Sequence, residues 1–196
     1  MKTKIICLIL AVVTVLSLAS CGVSKADAEE ITAAAKELIE ASYEINEIYF
    51  GKGLKVTNTE VLANTSYWYV TDDCGYSSMD EIKAATAKVY STDYCNDYLF
   101  LIGFEGIKNV DEEQSDIASA RFKEDTKGKL CQNKSISENG LELNRTYDFS
   151  TITVEKCVRN SATIQVQSLV NGEKDQIIKL TLVYENDQWR LNTPTY

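Results

Sequence analysis

The sequence predicts an α+β domain in which N-terminal helices pack on a curved antiparallel sheet, and three observations carry that expectation. Over 27–50, apolar residues recur at three- and four-residue steps, the period of a helix with one buried stripe. Beyond 107 they alternate in period two, the pattern of strands with one face turned inward. Between two of those alternating runs stands Asn171-Gly172, the strongest hairpin signal in the chain. Helices first and hairpin-linked strands later give an α+β layering, unlike the strand–helix alternation that builds a parallel sheet.

The first helix places Ile31, Ala34, Ala35, Leu38, Ala41, Ile45 and Ile48 on its core stripe, with Glu29, Glu30, Lys36, Glu37, Glu40 and Glu44 mostly between them. Gly51-Lys52-Gly53 ends it, because glycine accepts the left-handed backbone that follows a helix. Threonine, valine and aromatic residues over 56–70 predict one or two strands around the polar turn Asn64-Thr65-Ser66. Ser78 and Glu81 have capping-box spacing, so a helix starts there and runs to about Val89. Ser91-Thr92-Asp93 caps another over 94–102, with Tyr94, Tyr98 and Leu101 on one face and Gly103 and Gly106 as its stop.

In the later half the inward rows are Ile152, Val154 and Val158, then Ile164 and Val166, then Ile178, Leu180, Leu182 and Tyr184. Both arms of the Asn171-Gly172 hairpin carry these residues at even positions, whereas a two-residue loop pairs even with odd. A loop of three or five residues, or a bulge, is therefore expected. Trp189 and Leu191 supply the last strand, and Pro194 lies beyond it.

The N-terminus predicts export. Lys2 and Lys4 precede an apolar run over 5–18, shorter than the roughly 20 residues a membrane span needs. Leu18-Ala19-Ser20-Cys21 matches the bacterial lipobox, so Cys21 is the expected lipidation site, with an ordinary secretory signal as the alternative. Residues 1–20 then form a lipoprotein signal peptide and 21–26 a lipidated tether. One domain is expected over 27–196, helical in 27–106 and a β-meander in 107–196, and a monomer. Loss of Lys2 and Lys4 takes the formal charge from −9 to about −11. So acidic a surface disfavours nucleic acid and membrane contact beyond the lipid anchor, and is compatible with a basic protein partner. Cys74, Cys95, Cys131 and Cys157 remain, as two disulfides in any of three pairings or as four thiols.

Histidine is absent from the chain. This excludes Ser-His-Asp and Cys-His catalysis and every histidine-containing zinc site. The sequence also lacks phosphate-loop, dinucleotide and EF-hand motifs, and neither cofactor nor metal is expected. A glycosidase needs only two carboxylates about 5 to 9 Å apart, so a carboxylate-dependent hydrolase stays open. Asp111-Glu112-Glu113 with Asp116, and Glu124-Asp125, read as solvated turns with a weak cation site as the alternative.

The stretch YWYVTDDCGYSSMDEIK, over 67–83, combines aromatic residues with acceptors. On a strand Tyr67 and Tyr69 share one side and Trp68 and Val70 the other, so one pair is expected in the core and the other half-exposed. Tyr69, Asp72, Asp73, Gly75, Tyr76 and Ser77 are the candidate partner-binding residues, since rigid amphipathic aromatics beside acceptors suit protein contacts. Aromatic core followed by a polar loop is the alternative, and Asp111 to Asp116 is the second candidate surface.

The N-terminal helix, the Tyr-Ser-Ser-Met-Asp-Glu-Ile-Lys helix start, Val89-Tyr90-Ser91-Thr92-Asp93-Tyr94 and the closing Trp189-Arg190-Leu191 together resemble the IseA family, over about 25–195. The resemblance implies an exported, non-catalytic inhibitor of bacterial DL-endopeptidases, the cysteine enzymes that cut peptidoglycan stem peptides, acting through a loop in the active cleft. The lipobox departs from the plain signal familiar in that family. The alternative is a small-ligand or peptide-binding lipoprotein with a cystatin-like or NTF2-like meander, its pocket lined by Tyr67, Tyr69, Tyr94, Tyr98 and Trp189.

Overall fold

The computed structural model describes residues 24–62, 65–108, 117–118 and 120–196. Cys21, Asn64 and the 111–116 segment lie outside them. Helix α1 spans Lys25–Tyr49, and the Ser24 side chain caps it by accepting from the Asp27 amide at 3.2 Å. The helix thus starts two residues before the expected position and takes over the end of the expected tether. Its buried stripe holds Ile31, Ala35, Leu38, Ile45 and Ile48 as expected, but Ala41 is exposed and Ser42, Asn46, Ile39 and Tyr49 are buried. The Gly53 amide donates to the Glu47 carbonyl at 3.1 Å from a left-handed φ of 75°, which closes the helix.

The large sheet is an antiparallel meander with the order β10-β9-β8-β7, where β7 is Arg145–Val158, β8 Ser161–Val170, β9 Glu173–Glu185 and β10 Gln188–Leu191. In β8 and β9, even-numbered Ala162, Ile164, Val166, Leu180 and Leu182 are buried beneath α1. The hairpin at Asn171-Gly172 is a two-residue turn, with Val170 opposite Glu173. Register is restored by a bulge: Gln167 faces Ile177, whereas Leu169 faces Lys174, so Asp175 and Gln176 share Ser168 as their opposite. Buried Ser168 holds the bulge by donating to the Gln176 carbonyl at 2.9 Å and accepting from Arg145 Nη1 at 2.8 Å, while Arg145 also pairs with Asp175.

A second bulge, in β7 between Val154 and Lys156, corrects the inward row there. Val154 faces Ile164, but beyond the extra residue it is Cys157 that faces Ala162, which turns Val158 outward to 51% exposure.

A smaller antiparallel sheet of order β1-β2-β6-β5 joins β1 (Val56–Val61) and β2 (Tyr67–Val70) to β5 (Phe122–Glu124) and β6 (Leu130–Asn133). A two-stranded ribbon, β3 (Ile107–Lys108) with β4 (Ile117–Ala118), stands apart from it in the strand pairing. The fold is α+β, but strands from the expected helical part pair with strands from the expected meander part. A short α4, Lys134–Asn139, also falls late in the chain. In β2 the buried residues are Tyr67 and Val70, one from each side, so neither expected pair forms the core side by itself.

Helix α2, Met79–Val89, is capped as expected: Ser78 Oγ accepts from the Glu81 amide at 3.2 Å. Ser91 likewise caps α3, Thr92–Tyr94, which continues as two wide π-helical turns, Cys95–Leu99 and Leu101–Glu105. Gly103 therefore lies inside the helical segment instead of stopping it; Gly106, at φ 83°, is the stop. A Cβ on Gly103 would stand 2.7 Å from Tyr49 Cε1, so the glycine serves close packing. The wide turns shift the helical phase: Tyr94 packs at 5.1 Å from Tyr90 and 5.6 Å from Tyr98, while Leu101 turns to solvent.

The C-terminal strand end is bound to α1 by a buried polar network. Asn46 Nδ2 donates to Thr195 Oγ1 at 2.8 Å, Tyr90 donates to Asn46 Oδ1 at 2.7 Å, and Tyr147 donates to the Thr195 carbonyl at 3.0 Å. Such groups are tolerated inside because each finds a partner.

Candidate protein-binding loop

The candidate residues 69–77 form one continuous strand end and loop between β2 and α2. The Thr71 amide donates to the Lys55 carbonyl at 2.9 Å, which ends the β1–β2 ladder, and Cys74 N returns to the Thr71 carbonyl at 3.2 Å in a turn. Gly75 takes φ 89° with open space where a side chain would stand, so the dihedral itself selects glycine. Cys74 Sγ then donates to the Tyr76 carbonyl at 3.1 Å and accepts from its amide at 3.4 Å. Asp72, Asp73, Gly75 and Ser77 are exposed; Cys74 and Tyr76 are half-buried beneath them.

Three separate elements hold this loop. From β1's leading edge, Lys55 Nζ pairs with Asp73 Oδ2 at 2.5 Å. From α1, Glu44 Oε1 accepts from the Tyr76 hydroxyl at 2.7 Å. From α2, Glu81 Oε2 accepts from the Ser77 amide at 2.6 Å and its hydroxyl at 2.9 Å. The reciprocal arm of the capping box therefore reaches one residue beyond the cap and fixes the loop as well as the helix. Tyr69 is set beside the turn after β5: its hydroxyl donates to Asp125 Oδ2 at 3.3 Å, and Lys129 Nζ lies 5.0 Å from the ring centre.

The electrostatics follow from these contacts. The Lys55 hydrogen bond holds Asp73 below the usual carboxylate range, the Ser77 donors do so for Glu81, and the Lys129 and Lys127 amides for Asp125. Burial, then the hydrogen bond to Glu44, pushes the Tyr76 phenol up. Each displaced carboxylate here is thus displaced toward the ionised form, which makes it an acceptor rather than a proton donor near neutral pH.

Glu124 and Asp125 read as structural: Glu124 Oε1 accepts from the Met79 amide at 2.8 Å at the start of α2, and Asp125 closes its own turn by accepting from the Lys127 and Lys129 amides at 2.8 Å each. Among the described residues no cluster of three or more His, Cys, Asp or Glu could hold a metal ion. Cys74, Cys95, Cys131 and Cys157 form no disulfide. Burial pushes the Cys95 thiol up to about 12 and the Cys131 thiol up to about 11, far from thiolate chemistry.

The five aromatic residues expected to line one pocket do not converge. Tyr67 donates to the Ala120 carbonyl at 2.6 Å under Lys123, Tyr94 and Tyr98 belong to a row of tilted rings along α3 and the turn that continues it, and Trp189 packs on Tyr184. A cavity of about 540 Å³ lies elsewhere, between α1 and the 141–146 segment, with Tyr43, Leu141, Leu143, Val170 and Tyr196 among its walls.

Sequence reasoning marked the loop but missed its holders Glu44 and Lys55. No local pattern distinguishes either from the other surface charges on its element; Glu81 alone was signalled, by its spacing from Ser78. No family model matches the chain, and no curated protein is significantly similar to it.

Proposed function

We propose that this chain is a non-catalytic, lipid-tethered inhibitor of cell-wall cysteine DL-endopeptidases that presents the 72–77 loop, flanked by Tyr69, to its target. The observation that carries this is the loop's construction: its tip is exposed, yet α1, α2 and the residue leading into β1 each hold it by side-chain bonds. A loop already ordered before contact loses little conformational freedom on docking, which is the property an inhibitory loop needs. The IseA-like residues point to the same target class, and the acidic surface would steer the chain toward basic patches in a salt-dependent way.

The test is turnover of purified peptidoglycan by a DL-endopeptidase with and without the soluble mature chain. Dose-dependent inhibition is expected, and replacing Asp72, Asp73 and Tyr76 together by alanine should weaken it about tenfold or more. The Lys55–Asp73 pair is exposed, so Asp72→Ala with Asp73→Ala should leave the melting temperature nearly unchanged, whereas Tyr76→Ala also removes half-buried packing and the bond to Glu44, and its stability loss is read separately in the single variant. Equal loss of inhibition and stability would demote the loop to a structural element.

A second reading, a small-ligand or peptide-binding lipoprotein, is favoured by the cavity of about 540 Å³ beside α1, which has the size and the mixed apolar and polar walls of a ligand site. Absence of inhibition across several endopeptidases, with protection from unfolding by peptide or muropeptide mixtures, would put that reading first.

A further inference from the structure

Gly22, Val23 and Ser24 alone separate Cys21 from Lys25, the first residue of α1. At roughly 3.5 Å per residue this segment reaches no more than about 14 Å, so a lipid on Cys21 fixes one end of the domain at the membrane surface. That end is built from three parts. The Arg159–Asn160 turn and the Asn186–Asp187 turn lie side by side, the Tyr184 amide donating to the Asn160 carbonyl at 2.7 Å. The first turns of α1 adjoin them, with Trp189 Nε1 donating to Glu30 Oε1 at 3.2 Å. An open cleft of about 390 Å³ runs between these parts, with Asp27, Ile31, Cys157 and Arg159 on its walls.

This end carries apolar surface that the fold does not use. Val158 is turned outward by the β7 bulge, and Tyr184, 36% exposed, meets Trp189 edge-on at 5.2 Å. Tryptophan and tyrosine with one apolar and one polar side are the residues that settle at headgroup depth. Lys25 pairs with Glu29 at 3.7 Å, and Lys88, Arg159 and Arg190 share the clefts at this end with Asp27, Glu30, Glu37 and Asp187, a mixed set with an acidic excess that suits a zwitterionic surface better than an anionic one. The charge of the whole chain argues against membrane contact from solution. A tether this short changes the balance, because contact then costs little further translational freedom and a small patch suffices.

We propose that the face formed by the start of α1, the Arg159–Asn160 turn and the Tyr184–Trp189 pair rests on the lipid bilayer, so that α1 stands as a strut carrying the 72–77 loop away from it. This rests on the lipidation of Cys21 and extends the inhibitor reading by fixing its orientation. The 25 residues of α1 span about 37 Å, and Glu44, which grips Tyr76, lies about 25 Å along the axis from Asp27 at roughly 1.5 Å per residue. The loop thus faces the wall, where a peptidoglycan hydrolase works.

The experiment uses the lipidated mature chain in phosphatidylcholine vesicles, with brominated lipids quenching tryptophan at shallow depth. Trp68 and Trp189 are the two tryptophans, so Trp68→Phe and Trp189→Phe each isolate one of them. Trp189 emission should fall at least about twofold, as for a ring at headgroup depth, while Trp68 on the small sheet stays unquenched. Co-sedimentation of the chain with vesicles, and its loss in Cys21→Ser, reports on the anchor separately. Sedimentation without Trp189 quenching overturns the orientation and leaves the anchor standing, and equal quenching of both tryptophans overturns it as well. A Cys21→Ser chain that still sediments overturns the lipidation on which both proposals rest.

Discussion

Gly103→Ala separates two physical accounts of one residue by the sign of its effect. If glycine were there to stop a helix, alanine would extend it and gain up to about 1 kcal/mol in propensity. The structure places Gly103 within a π-helical turn, where an added methyl stands 2.7 Å from Tyr49 Cε1. Tyr49 has little room to yield. It is buried, its ring is edge-on to Phe104 at 6.2 Å, and its hydroxyl shares a hydrogen bond of 3.2 Å with Thr86. Overpacking a rigid core site costs about 1–3 kcal/mol, so after the propensity gain the net loss should reach about 2 kcal/mol at its upper end. For a chain of this size each kcal/mol moves the midpoint by about 2–4 °C. Thermal unfolding followed by circular dichroism should therefore show Gly103→Ala melting several degrees lower. In a Tyr49→Leu background the clash is relieved and the same change should be neutral or stabilising, a coupling of at least about 0.5 kcal/mol. A rise in midpoint on the wild-type background would refute the packing account.

Other consequences follow from the same contacts. The folded pKa values of Asp73, Glu81 and Asp125 lie below their unfolded ones, so their contribution is present above the ordinary carboxylate range and lost as pH falls through the depressed values; amide chemical shifts over 72–77 and 125–129 should hold steady above about pH 5 and move together in acid. Tyr76 has the opposite sign, its folded pKa being raised above the unfolded value near 10, so its bond to Glu44 should persist through about pH 10, while the stability it contributes starts to fall there as the unfolded phenol ionises; loss of the loop shifts near pH 8 would contradict that. Ser168→Ala removes the bond that fixes the β9 bulge and should cost about 1–3 kcal/mol, with hydrogen exchange at Lys174–Ile177 accelerated first. Cys95 and Cys131 should react with a thiol reagent at neutral pH only after denaturation, and rapid labelling of Cys95 in the native chain would show that its burial is wrong.

The parts of the fold that were legible in the sequence are those set by residues a few positions apart. Ser78 and Ser91 cap the helices that their spacing announces, and Asn171-Gly172 makes the tight turn its dipeptide favours. What was not legible is set by residues far apart. Strand β2 pairs with β6 more than sixty residues later, so the first half of the chain could be read as helical only by overlooking a sheet whose other strands had not yet appeared. Ser42 and Asn46 break the apolar stripe of α1 and read as surface positions, yet Thr195 meets both inside the core. The bulges are a middle case. The even-to-even pairing across Asn171-Gly172 required an irregularity, but only the contacts of Ser168 decide that β9 rather than the turn supplies it.

The same division governs the candidate loop. Gly75 and the Ser78 cap are local and can be read directly, whereas the hold on Asp73 and Tyr76 comes from Lys55 and Glu44, charges that on their own elements resemble every other solvated lysine and glutamate. A sequence can therefore show that the loop is polar and aromatic but not that it is ordered, and order is what separates an inhibitory loop from a linker of the same composition. The holders have a second consequence. Because Glu44 lies on α1, the helix that begins four residues after Cys21 also positions the loop, so the proposed anchored end and the proposed docking end share one helix. Glu44→Gln keeps the volume and an acceptor oxygen but removes the charge, and it should raise the concentration needed for half inhibition about two- to fivefold, by weakening a charge-assisted hydrogen bond at a partly exposed site. Membrane attachment and melting temperature should be unchanged. A loss of inhibition as large as in the Asp72, Asp73 and Tyr76 triple variant would mean that Glu44 contacts the target itself, and no loss would mean that the loop keeps its shape without α1.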